Sequence, residues 1–168
     1  MVSEHPRTIL HPGVRAALEA CGLDFTSLPC DPEHADTAVF CERHGHLLDD
    51  SANCILVKAK TGGERFAACV ALATSRLDVN KVVRKRLAAR RISFASPEEA
   101  RTLTGMEIGG VTPLGLPADL PLWVDARVLA RERIILGGGN RSSKVVVSPL
   151  VFEHIATAEV IEGLARDA

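Results

Sequence analysis

With 168 residues, 46% of them hydrophobic and 24% charged, the chain has the composition of one globular domain able to bury a sizeable core. A formal net charge of −1 excludes a global pull toward polyanions or anionic membranes, so any contact with nucleic acid must come from a local basic patch. Tyrosine is absent and Trp123 is the single tryptophan, which argues against an aromatic base-stacking platform. No apolar run reaches the length of a membrane span, and the N-terminal Met-Val-Ser-Glu-His-Pro-Arg lacks the apolar core of a signal peptide. Five scattered cysteines, an odd number, predict reduced thiols and a cytoplasmic setting.

In chain order, Pro12 to Cys21 predicts a short helix: proline suits its first turn, Val14, Ala17, Leu18 and Cys21 share a face, and Gly22 stops it. Phe25 to Leu28 reads as a strand ended by Pro29. Asp36 caps a second helix that turns Ala38, Val39 and Cys41 inward and ends at Gly45. Cys54–Ala59 and Phe66–Ala73 are apolar runs separated by Thr61-Gly62-Gly63, the pattern of a β-hairpin. Asp78 caps a helix with Val79, Val82, Val83 and Leu87 on one face and Lys81, Arg84 and Lys85 on another. Ile92–Phe94 is a strand, and Ser96-Pro97-Glu98-Glu99 is a capping box with proline at the first helical position. Leu122–Val124, Arg133–Leu136 and Lys144–Val147 are further strands. Ser148-Pro149 and Thr157 are expected to cap two final helices. The mixture predicts one α/β domain, residues 1–168, around a mixed sheet.

The stretch Thr104 to Gly115 carries Gly109, Gly110, Gly115 and Pro113, a stiff loop that lets a ligand approach the backbone or serves as a plain connector. Gly137-Gly138-Gly139-Asn140-Arg141 is a second glycine turn with a cation attached. It either cradles an oxyanion or turns a hairpin, and it fails the dinucleotide fingerprint. Lys81, Arg84, Lys85, Arg86, Arg90 and Arg91 form a run that either holds phosphates or is a solvated face. Cys41, His44 and His46 are read as a buried thiol beside two surface histidines, or as an incomplete metal set. Asp125 follows a strand, where a carboxylate faces a cleft or caps the strand end. No serine sits in a nucleophile elbow.

The segments Leu77-Asp78-Val79-Asn80-Lys81, Phe94-Ala95-Ser96-Pro97-Glu98-Glu99, Thr104 to Gly115, Leu120-Pro121-Leu122-Trp123-Val124-Asp125 and Gly138-Gly139-Asn140-Arg141 together resemble the YbaK/EbsC family. These are aminoacyl-tRNA deacylases related to the editing domain inserted in bacterial prolyl-tRNA synthetases. The resemblance runs from about Pro12 to the C-terminus. It implies a mixed, mostly antiparallel sheet curved into a partial barrel with surrounding helices, and hydrolysis of the ester between a wrong amino acid and the tRNA 3′ end. It implies an aminoacyl-tRNA 3′ end as partner, with an aminoacyl-tRNA synthetase as a further one, and no cofactor, metal or membrane. Gly109, Gly110, Thr112 and Asp125 are placed in catalysis by the match. Val111, Pro113, Gly138 and Gly139, with Asn140 and Arg141, are placed against the substrate.

One position departs from the family. Many members carry a catalytic lysine early in the strand that here reads Asn53-Cys54-Ile55-Leu56-Val57-Lys58, and Cys54 stands in its place. Asn53 and Cys54 are therefore expected at the substrate. Either Lys58, on the same strand face but about 13 Å along, or Lys81 reaches in, or the chemistry runs without a lysine, or the usual substrate is not hydrolysed. Cys54 is either an apolar filler, the favoured reading, or a thiolate nucleophile. The alternative to a deacylase is a non-catalytic module that binds an aminoacyl-tRNA end or an aminoacyl-like ligand.

Overall fold

The computed structural model describes residues 2–4, 9–44 and 48–168, with the backbone alone at 2–4 and 44. Strand β1 (Val2–Glu4) precedes helix α1 (Pro12–Cys21). Gly22 closes α1 in the left-handed region at φ +69°, as the Pro12…Gly22 spacing predicts. After β2 (Phe25–Pro29), the Asp36 carboxylate accepts from the N–H groups of Ala38 and Val39 and starts α2 (Thr37–His44). The inward face of α2 needs correcting. Phe40 and Cys41 are buried, Val39 is half-buried and Ala38 is exposed, because the helix lies with residues 40 and 41 against a sheet. The expected terminator, Gly45, lies outside the described residues.

Strands β3 (Ala52–Ala59) and β4 (Phe66–Leu72) form the expected antiparallel hairpin, with Cys54 opposite Val70. After β5 (Ser75–Leu77), the helix capped by Asp78 is shorter than its pattern suggests. It is one wide turn, Val79–Val83, running into α3 (Arg84–Arg86). Strand β6 (Ile92–Phe94) leads to α4 (Pro97–Thr104), where both bonds of the predicted capping box are made. Strand β7 (Leu122–Asp125), helix α5 (Ala126–Leu129), β8 (Ile134–Gly137) and β9 (Ser143–Val147) follow. Ser148 caps a six-residue 3-10 turn, Pro149–His154, in place of the expected helix. Thr157 caps no helix: Ala158–Ile161 is β10, parallel to β7. Backbone bonds to a neighbouring strand override the weak helical propensity of Ala-Glu-Val there. Strand β11 (Ala165–Asp167) pairs antiparallel with β5.

The strands assemble as a four-stranded sheet in the order β1-β2-β9-β8 and a five-stranded sheet in the order β10-β7-β4-β3-β6, with β11-β5 as a separate pair. Among the described residues five of the eight pairings are antiparallel, so the sheets are mixed and mostly antiparallel as expected. The two large sheets pack face to face over the main core, which includes Leu56, Val70, Val124, Leu136 and Val145. The far face of the five-stranded sheet is covered by Val83, Leu87 and Leu164. The far face of the four-stranded sheet is covered by Phe40 and Cys41 of α2.

The expected barrel is only partial, and its open seam locates the site. Among the described residues the sheets do not close; they meet at a single parallel bridge, Ser51 to Ile135. One edge of β3 is paired along its length with β4, whereas on the other edge β6 covers Val57 to Ala59 and β8 touches Ser51. Between those two contacts Asn53, Cys54 and Ile55 are left open. Among the described residues no helix is long and apolar enough to cross a membrane.

Candidate functional site

A cavity of about 280 Å³ occupies that gap in β3. Its floor is Ala52 to Ile55, one wall is the start of α2 (Asp36, Thr37 and Phe40), another is the end of β8 with Lys144 behind it, and its lip is Ile108, Gly109 and Val111. An apolar recess lined by Cys54, Ile55, Phe94, Ala100, Ile108 and Val111 adjoins it. A third groove shares Asn53 and Ile55 with the cavity and runs to Asp78, Val79 and Asn80.

The lip is held by its glycines. Gly109 has φ +88°, a backbone open to glycine and strained for other residues. A Cβ there would lie 2.3 Å from Arg141 Nη1, so the missing side chain makes room for that guanidinium. The Arg141 guanidinium donates to Ile108 O at 3.2 Å and Pro32 O at 2.7 Å, tying the lip to the turn ahead of α2. Gly110 is pressed against Asn140: a Cβ would sit 2.1 Å from the Asn140 carbonyl oxygen.

The two glycine turns are therefore one interlocked junction, and this corrects the expectation of two substrate cradles. Gly139 N–H donates to Gly110 O at 2.7 Å, Glu107 N–H to Gly139 O at 3.2 Å, and Gly138 N–H to Ser143 O at 3.2 Å. The Gly110 N–H itself donates to Glu107 O at 2.9 Å. Asn140 braces the turn from inside, with its Oδ1 accepting from Ser142 N–H and the Ser143 hydroxyl and its Nδ2 donating to Ile9 O. Gly138, Gly139, Asn140 and Arg141 thus stand behind the lip instead of lining the cavity. Thr112 and Pro113 are buried and anchor the lip in the core; Thr112 Oγ1 has no partner among the described residues.

Three further expectations are displaced. Asp125 is 1% exposed and its Oδ1 accepts from Ala165 N–H at 3.1 Å, so it fastens the end of β7 to β11 and does not line the cavity. Lys58 donates to Glu99 Oε2 at 2.5 Å, at the opposite end of β3 from the gap. Lys81 is exposed beyond the groove. Among the described residues no group of His, Cys, Asp and Glu is arranged to hold a metal. Cys41 Sγ lies 3.1 Å from Ser51 Oγ, and His46 is outside the described residues.

Asn53, Cys54, Gly109 and Val111 are brought together as expected. Thr37 Oγ1 donates to Asn53 Oδ1 at 2.6 Å, which orients the amide on the cavity floor. Burial pushes the Cys54 thiol far above its ordinary range, with the Cys69 thiol adding to the shift. The shift favours the protonated thiol over the thiolate that a nucleophile needs. Lys144 was missed. It is 6% exposed, donates from Nζ to Ala35 O at 2.9 Å, and lies 5.5 Å from the Phe40 ring. Burial lowers its pKa from the ordinary lysine value. Asp36, Thr37 and Phe40 were also missed as cavity residues; Asp36 announced itself in the sequence as a helix cap alone.

The cavity thus combines the Asn53 amide, a glycine-held lip and the Lys144 ammonium. The sequence profile of the aminoacyl-tRNA editing domain matches residues 31–155, and the chain belongs to that family. It is 24% identical over 156 residues, 92% of each chain, to the multifunctional Ser/Thr-tRNA deacylase ProXp-y of Escherichia coli K12. It is 27% identical over 105 residues to the uncharacterized protein YwhH of Bacillus subtilis strain 168, covering 62% of this chain and 66% of YwhH. A solved structure provisionally described as a trans-editing enzyme for prolyl tRNA synthetase shares the fold, with a TM-score of 0.76 at 22% identity over 95% of this chain and 100% of that one.

Proposed function

We propose that this protein is a trans-editing deacylase that hydrolyses the ester joining a wrong, small amino acid to the 3′ end of a tRNA. The cavity in the β3 gap carries this reading. Its volume of about 280 Å³ is at the low end for ligand pockets and suits an aminoacyl group with a short side chain. Its walls offer a carboxylate, Asp36, for the substrate's α-ammonium, and the oriented Asn53 amide for its polar groups.

The lining residues point to direct attack by water. Among the described residues no histidine lines the cavity, burial favours the protonated form of Cys54, the Thr37 hydroxyl is committed to Asn53, and the Ser51 hydroxyl lies beside the Cys41 thiol. The water oxygen forms a bond to the ester carbon and the carbonyl π pair moves to oxygen. Collapse breaks the bond to the ribose oxygen, which takes up a proton that the water has lost. The products are the free amino acid and a tRNA with its hydroxyl restored.

Deacylation across a panel of mischarged tRNAs tests the proposal, with hydrolysis expected for one or more small amino acids. Release no faster than in buffer for every member would overturn it. The second reading, a non-catalytic module, is motivated by Cys54 at the family's lysine position. Tight binding of an aminoacyl-adenosine amide by a chain that turns over no ester on the panel would favour it.

A further inference from the structure

We propose that Lys144 is the catalytic cation of this site, donating from Nζ to the carbonyl oxygen of the bound ester as negative charge develops on it; this rests on the deacylase reading above. The position left to Cys54 on β3 and the tethering of Lys58 to Glu99 leave the cavity floor without a lysine. Lys144 supplies one from a different strand. It sits on β9, opposite Gly137 of β8, and both residues line the cavity. The residue is 6% exposed and its ammonium lies 5.5 Å from the Phe40 ring, so the charge sits at the cavity wall and not in bulk solvent.

Among the described residues Nζ makes one hydrogen bond, to Ala35 O at 2.9 Å, and an ammonium has three N–H donors. The remaining donors are available to a ligand. Of the groups whose charge favours its ammonium form, the Cys30 and Cys41 thiols come first and Asp36 is the carboxylate; Asp36 belongs to the same cavity, where the substrate's ammonium competes for it. A desolvated cation with unused donors lowers stability relative to an apolar side chain of similar length. A charge kept under that penalty in a substrate-sized cavity has the position and chemistry of a group that meets a developing oxyanion.

Lys144→Met keeps the stem and removes the charge. The expected result is a kcat on the order of 10²–10³ lower than the parent's, the loss typical of one oxyanion donor, with a smaller change in KM. The melting temperature is expected to be unchanged or higher, which a structural role would not produce. Lys144→Cys treated with 2-bromoethylamine forms a thioether that restores an ammonium at nearly the lysine length. It is expected to recover turnover, with the parent and its five native thiols carried through the same treatment as control. Turnover of Lys144→Met within about threefold of the parent would overturn the assignment, and so would failure of the aminoethylated protein to regain activity. A parent that neither hydrolyses any ester of the panel nor binds an aminoacyl-adenosine amide overturns both this proposal and the deacylase reading. An active parent with an equally active Lys144→Met overturns this one alone.

Discussion

At Gly110 a methyl group would lie 2.1 Å from the Asn140 carbonyl oxygen and 2.6 Å from the Asn140 nitrogen, both backbone atoms that cannot swing aside. Gly110→Ala therefore forces the two glycine turns apart and breaks the bond from Gly139 N–H. The expected outcome is a loss of about 1–3 kcal/mol, the usual scale of overpacking, read as a lower urea midpoint together with reduced turnover. A variant with the parent's midpoint and rate would show that the junction opens without cost. Cys54 gives a different kind of test. Burial keeps its thiol protonated, so it should react with iodoacetamide more slowly than a cysteine of the unfolded chain up to about pH 9. Cys54→Ala should retain most turnover. Rapid labelling at neutral pH, or a trapped acyl-thioester, would restore the nucleophile reading.

Glu99 joins two elements: its Oε1 accepts from Ser96 N–H to complete the cap of α4, and its Oε2 accepts from Lys58 of β3. The Lys58 bond is the first cause of the lowered Glu99 pKa, and the Glu99 bond is the first cause of the raised Lys58 pKa. The carboxylate's contribution is complete above the ordinary glutamate range and is lost as pH falls through its lowered value. The lysine's is complete below the ordinary lysine range and is lost as pH rises through its raised value. Lys58→Met should lower the melting temperature at neutral pH, with the two proteins converging as pH falls below about 4, and should leave kcat unchanged. Parallel curves would show that the pair contributes nothing, and a large fall in kcat would return Lys58 to the chemistry. Helices such as α1 and α4 were legible because their stop and start signals are local: Gly22 at a left-handed position, Ser96 and Glu99 three residues apart. Ala158–Ile161 was misread because its strand partner, β7, lies more than thirty residues earlier. The lip and the floor of the site were legible as a motif, but its cation was not. A lysine just after a turn at the head of a valine-rich strand normally faces water, and only α2, a hundred residues upstream, covers Lys144. Asp125 was misjudged for the same reason, since the segment that buries it is the chain's last strand.

The whole molecule places the cavity at the seam of two open sheets, and the groove leaving it carries the site toward the basic segment. Asn53 and Ile55 belong to both the cavity and that groove, whose far wall is Asp78 to Asn80. Lys81, Arg84 and Lys85 follow directly and are exposed. Arg86 is excluded from this set because it pairs with Glu159 and stacks 5.3 Å from the Trp123 ring. With a formal net charge of −1, the chain has no global attraction for tRNA, so we propose that phosphates leading to the cavity are met by local cations, with Lys81, Arg84 and Lys85 beyond the groove's own Arg76 and Arg166. Each phosphate neutralised on a single strand contributes about 0.7 to the slope of log K against log salt. The triple change of Lys81, Arg84 and Lys85 to alanine should therefore flatten that slope by about 2 if each cation meets one phosphate. Hydrolysis of a minimal aminoacyl-adenosine ester, which carries no distant phosphates, should stay at the parent's rate. An unchanged slope in the triple variant would show that the acceptor strand leaves the cavity by another route and that these three cations face plain solvent.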